Sequence, residues 1–96
     1  MVEYINLEIP NNEIINDGKV KMTYGGQGII RFSDEMLGKR VYVIFPMLRE
    51  NTKDGVIVAV DEILNKGIHP ENNHSSGISF SRKYVGRKCI TILQDG

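Results

Sequence analysis

A mainly β fold with two short helices is the class that this 96-residue sequence predicts, and three observations predict it. β-branched and aromatic residues gather in short runs bounded by glycines and polar turns, a pattern that suits strands rather than long helices. Two of those runs lead into a serine with a glycine five residues on, Ser33 to Gly38 and Ser81 to Gly86, leaving room for little more than one helical turn. A sixteen-residue segment also occurs twice.

In chain order, residues 2–9 read as a first strand, and Asn16-Asp17-Gly18 as a tight turn before a strand from Lys19 to Tyr24. A glycine-rich loop, Tyr24-Gly25-Gly26-Gln27-Gly28, precedes a strand over Ile29 to Phe32. Ser33 is placed to cap a short helix whose positive first turn holds Asp34 and Glu35, and Gly38 to stop it. From Lys39 to Leu48 the chain reads as a strand with both faces apolar, since Val41, Val43 and Phe45 alternate with Tyr42 and Ile44. Asp54-Gly55 turns into a strand over Val56 to Val60. Asp61 to Lys66 fits a helix as well as a strand, being too short for periodicity to decide. A strand over Ile68 to Glu71, one at Ile78, a helix capped by Ser81 and stopped by Gly86, and a strand from Cys89 to Leu93 complete the chain.

The repeat sets residues 30–45 above 78–93 without a gap. Five of the sixteen positions are identical, namely Ile30/Ile78, Phe32/Phe80, Ser33/Ser81, Gly38/Gly86 and Ile44/Ile92, where unrelated segments share about one. Upstream, Glu13 to Gly18 answers to Glu62 to Gly67, with one residue of slippage between the blocks. A tandem duplication follows, in a single domain, 1–96, made of repeats of about 1–48 and 49–96. Neither half can bury enough apolar surface alone, so each is expected to complete the other's core. Phe32, Val41, Val43, Phe80, Cys89 and Ile92 are the expected members of that core.

Composition narrows the function. Twelve basic and twelve acidic side chains cancel, which argues against coating nucleic acid by bulk charge. The charge is nevertheless polarised along the chain: residues 1–17 sum to −4, 18–45 to +3, 46–77 to −2 and 78–93 to +4. No apolar run approaches the ~20 residues of a membrane span and no signal-peptide pattern opens the chain, so a cytoplasmic protein is expected. Cys89 is the sole cysteine, which excludes an intramolecular disulfide; aligned with Val41, it reads as a small buried residue. His69, Glu71 and His74 lack a fourth ligand and regular spacing, so no metal is expected. Nothing resembles a phosphate-binding loop or an activated nucleophile, and neither catalysis nor a cofactor is expected.

The order of strand, glycine-rich loop, apolar–basic–apolar strand, short helix, glycine and Lys/Arg-led apolar strand resembles AbrB/MazE-type swapped-hairpin proteins. Tyr24-Gly25-Gly26-Gln27-Gly28-Ile29-Ile30-Arg31-Phe32-Ser33 is similar to that family's aromatic-Gly-Asn-Ser-x-x-Val-Arg-Ile-Pro stretch, with Ser33 in place of proline. Gly38 to Ile44 also resembles a version in short archaeal transposon-encoded proteins of unknown function. The likeness covers residues 13–45 well and 62–93 less well; in the second copy Asn73-His74-Ser75-Ser76-Gly77 replaces the glycines, and Ser79 stands where Arg31 would be. The resemblance implies an internally duplicated swapped-hairpin β-barrel. It also implies pseudo-dimeric binding to double-stranded DNA, by a transcriptional regulator or a mobile-element accessory factor. The DNA-binding residues it points to are Lys19, Lys21, Tyr24, Gln27 and Arg31, with Arg82 and Lys83 as substitutes in the second copy. A homodimer of the pseudo-dimeric chain is compatible with it. The competing reading is a protein-interaction module, an antitoxin relative or assembly subunit, that does not bind DNA.

Overall fold

A computed structural model describes residues 5–72 and 75–94. Among the described residues nine strands form two antiparallel sheets. They are β1 (Ile5–Pro10), β2 (Ile14–Lys19), β3 (Lys21–Met22), β4 (Gly28–Phe32), β5 (Arg40–Asn51), β6 (Gly55–Gly67), β7 (His69–Asn72), β8 (Ser75–Phe80) and β9 (Lys88–Leu93). The larger sheet has the order β1-β6-β5-β9-β2 and the smaller β3-β4-β8-β7. Among the described residues these ladders do not close into a barrel. No helix there is long and apolar enough to cross a membrane.

The repeat in sequence is a repeat in backbone. Residues 30–45 and 78–93 pass through the same succession of strand, single 3₁₀ turn, glycine and strand. Gly38 and Gly86 share a φ of 85°, a left-handed conformation that glycine adopts without steric cost. Shifting each residue number by 48, upward in the first half and downward in the second, carries the Arg40↔Gly67 pair onto Lys88↔Lys19, and Lys21↔Ile29 onto His69↔Gly77. Two ladders map onto themselves, β4–β8 about Ile30↔Ile78 and β5–β9 about Val43↔Thr91. An approximate two-fold axis therefore passes through those two residue pairs. Each half also lends strands to the other: β2 pairs with β9, and the end of β6 with the start of β5.

The one-residue slippage has a physical cause. The β2–β9 ladder pairs Ile14 with Ile92 but Asn16 with Thr91, leaving Ile15 as an extra residue in a β-bulge. Ile14 thus corresponds to Ile63, which faces Ile44, whereas Asp17 corresponds to Asn65 and Lys19 to Gly67. The identity of Asn16 with Asn65 and of Gly18 with Gly67 in the alignment is not an identity of place.

Several expectations are corrected. The expected helices over 33–37 and 81–85 are single 3₁₀ turns, Asp34–Met36 and Arg82–Tyr84, and no α-helix occurs among the described residues. Neither Ser33 nor Ser81 makes a side-chain cap hydrogen bond; in so short a turn the serine carbonyls do the work, accepting from Met36 and Tyr84 N–H at 3.0 and 3.1 Å. Asn16-Asp17-Gly18 is not a turn but the interior of β2, because pairing with β9 outweighs local turn preference. The strand expected over Lys19 to Tyr24 breaks at Val20, where the chain passes from one sheet to the other. There Val20 N–H donates to the Arg87 carbonyl and its own carbonyl accepts from Gly86, and Ile68 makes the matching pair of bonds with Lys39 and Gly38. Asp61 to Lys66 is strand, part of β6.

The main core lies between the sheets and contains Val20, Ile30, Val41, Val43, Phe45, Ile68, Ile78, Phe80, Tyr84 and Cys89. Phe32, expected within it, is only partly buried against it, and Phe45 takes the central place, with ring centroids 5.0 Å from Tyr84 and 6.2 Å from Phe80. Ile92, also expected there, packs instead against a second cluster of Ile9, Ile44, Val56, Val58 and Ile90. Alternation explains this, since Ile44, Ile90 and Ile92 point to the opposite face from Val43 and Cys89. Bulges around Pro46 interrupt the β5–β6 ladder and bend it, and the far end of that hairpin, with β1, covers the second face. Gly55 is required there, because a Cβ would overlap the Ile9 carbonyl oxygen.

Candidate functional site

Period-two alternation along β4 turns Gly28, Ile30 and Phe32 toward the core and leaves Arg31 exposed on the outer face of the smaller sheet. Beside it Lys21 pairs with Ile29, which is buried and floors a cleft of about 250 Å3. Asp17, Gly18, Lys19, Lys21 and Arg31 line this cleft. It lies where the chain crosses from β2 to β3, so the sheet switch at Val20 is what brings Lys19 next to Lys21 and Arg31.

Three sequence-predicted residues thus converge. Among the described residues Lys19, Lys21 and Arg31 make no side-chain hydrogen bond or ion pair. The one carboxylate in the cleft, Asp17, is held by Arg49 in a two-pronged pair at 2.7 Å for each oxygen, and the Arg49 hydrogen bonds hold its carboxyl below the usual range. Lys19 stands directly opposite Lys88 in the β2–β9 ladder. Like charges facing each other across strands weaken a sheet, so folding does not explain that pair.

The glycine-rich loop closes the β3–β4 hairpin. Thr23 N–H donates to the Gln27 carbonyl at 2.7 Å, Gln27 N–H to Thr23 Oγ1 at 3.2 Å, and Gly26 turns with a φ of 86°. Tyr24 is fully exposed at the tip and Gln27 is exposed beside it. The Arg82 guanidinium lies over Gly26, its Nη2 3.5 Å from where a Cβ would be. A Cβ there would meet the guanidinium only at ordinary van der Waals distance, so the positive φ is what calls for glycine at this position.

Lys83 does not join the cleft. Its ammonium lies 5.1 Å from the centre of the Tyr84 ring, on the side of an acidic cluster that sequence reasoning missed. Tyr84 Oη donates to Glu62 at 2.5 Å, while Arg87 bonds Asp61 at 2.8 Å and Glu62 at 3.3 Å and stacks 4.5 Å over Phe45. The hydrogen bond from Tyr84, then those from Arg87, holds Glu62 below the usual carboxylate range, and the same contact raises the phenol. This cluster fastens the Arg82–Tyr84 turn to β6. The residues that form it lie far apart in sequence, and no local signal joins them.

Burial raises the Cys89 thiol to about 11, so its sulfur is a core atom rather than a nucleophile. Of the three residues weighed for a metal, His74 lies outside the described residues, as does the side chain of Glu71. Comparison with protein-family models, with curated proteins and with solved structures finds no match to this chain.

Proposed function

We propose that this chain is a single-chain counterpart of a swapped-hairpin dimer and binds double-stranded DNA as a small regulator or mobile-element accessory protein. Support for the fold reading comes from the exchange of strands between halves and from the two ladders centred on one axis. Support for the DNA reading rests on one observation. Lys19, Lys21 and Arg31 share a cleft, without ionic partners among the described residues, beside a glycine hairpin that carries Arg82. Such cations around a glycine-rich loop suit a phosphate backbone, which supplies most of the affinity in such complexes. Lys19, Lys21, Arg31 and Arg82 supply four phosphate contacts, and Arg31, on the strand, is also the residue placed to reach a base edge. Zero net charge limits long-range attraction and makes the affinity modest.

The test is an anisotropy titration with mixed-sequence duplex DNA between about 50 and 200 mM salt. Four phosphate contacts give a slope of log K against log salt of about −3 to −4. Absence of binding at about 50 mM salt, where screening is weakest, refutes the function.

A further inference from the structure

The second half contains its own version of the cleft, and its chemistry differs. A cleft of about 270 Å3 lined by Arg40, Asn65, Lys66, Gly67, His69 and Ser79 is what a 48-residue shift makes of the first. Asp17 becomes Asn65, Gly18 becomes Lys66, Lys19 becomes Gly67, Lys21 becomes His69 and Arg31 becomes Ser79. Its two cations are engaged with the protein itself. Arg40 donates through Nε and Nη2 to Asn65 Oδ1 at 3.0 and 2.8 Å. Lys66 donates to the Ser79 carbonyl at 2.9 Å and lies over the Phe80 ring. At the hairpins the contrast reverses sign. Arg82 sits against the first, and the residue equivalent to it, Asp34, accepts from Ser76 Oγ at 2.8 Å beside the second.

Building on the DNA reading above, we infer that the chain docks on DNA with one half only, the half that carries Lys19, Lys21, Arg31 and Arg82. The two-fold axis is a property of the fold and not of the recognition surface. The bound site is consequently non-palindromic, and the DNA axis lies to one side of the Ile30–Ile78 pair. The second cleft serves cohesion: Lys66 ties β6 to β8, and Arg40 ties β5 to β6. A shared duplication is thereby divided between binding and fastening.

The experiment compares salt slopes on one duplex for Lys19→Ala, Lys21→Ala and Arg31→Ala against Arg40→Ala and Lys66→Ala, with thermal unfolding of each. Expected are slopes flatter by about one for each first-cleft change, with melting temperatures unmoved. The second-cleft changes leave the slope as it is and lower the melting temperature. Should a second-cleft variant fail to fold, Ser79→Arg replaces it: an added cation outside the footprint leaves the slope within about 0.3 of wild type, whereas a symmetric surface steepens it by about one. Equal flattening from both clefts, or a steeper slope with Ser79→Arg, overturns the asymmetry while leaving DNA binding intact. A wild-type chain that binds no duplex overturns both.

Discussion

Thr91 offers a sharp test of the two-fold arrangement. It lies on the axis directly opposite Val43, both residues are fully buried, and among the described residues its Oγ1 has no hydrogen-bond partner. A buried hydroxyl left unpaired costs about 1–3 kcal/mol. Valine places a methyl group where the oxygen stood, keeps the β-branch that suits a strand and opens no cavity. Thr91→Val is therefore expected to stabilise the domain by about 1–2 kcal/mol. With an unfolding entropy near 2.1 cal/mol/K per residue, a chain of this length gains about 5 °C per kcal/mol, so the melting temperature rises by about 5–10 °C. Thermal melts followed by circular dichroism, with urea unfolding to check that the m-value is unchanged, measure this. The double change Val43→Thr with Thr91→Val exchanges two positions that the axis makes equivalent, and should return stability to within about 0.5 kcal/mol of wild type. A Thr91→Val protein that melts no higher than wild type refutes the claim that the hydroxyl is unpaired. A double variant far below wild type refutes the equivalence.

Phe45→Ala empties the centre of the main core and should cost about 3–5 kcal/mol, most of the stability of a domain this small; a loss below about 1.5 kcal/mol in urea unfolding would place the core elsewhere. Gly55→Ala forces β1 away from the turn between β5 and β6 and should cost about 1–3 kcal/mol, with hydrogen exchange accelerated in β1 before other strands. Cys89, with its thiol raised to about 11, should resist alkylation at pH 8 in the native state and react readily in urea; rapid native labelling contradicts its burial. Asp17 and Glu62 have folded-state values below their ordinary 3.8 and 4.5. Depressed carboxyls contribute stability above the unfolded values that is lost as pH falls through the folded ones, so stability should decline below about pH 4.5. Asp17→Asn should make that decline shallower, an effect kept small by exposure.

The strands of each copy were legible in the residues that alternate or cluster, such as Val41 to Phe45 and Cys89 to Leu93, because burial on one or both faces leaves a direct pattern. The convergence of Lys21 with Arg31 was partly legible through the short loop between them. Lys83 stands apart from the cleft because its neighbour Arg82 turns to Gly26 while Lys83 itself turns to Tyr84, and adjacent positions of a one-turn 3₁₀ helix face different ways.

By itself the sequence determined the mainly β class, the likeness of residues 30–45 to 78–93 and the positions of the two glycine stops, since all three rest on local sterics and on residue identity repeated at fixed spacing. Only the tertiary structure decided that Asn16-Asp17-Gly18 extends as strand, that the slippage between copies is a bulge at Ile15, and that the halves exchange strands across one axis. It alone showed that Lys19 and Gly67 are equivalent places with opposite consequences. Such facts depend on backbone pairing between distant residues, 69 to 78 positions apart in the β2–β9 ladder. Their cooperative ladders override the turn and helix preferences that a short window of sequence can express.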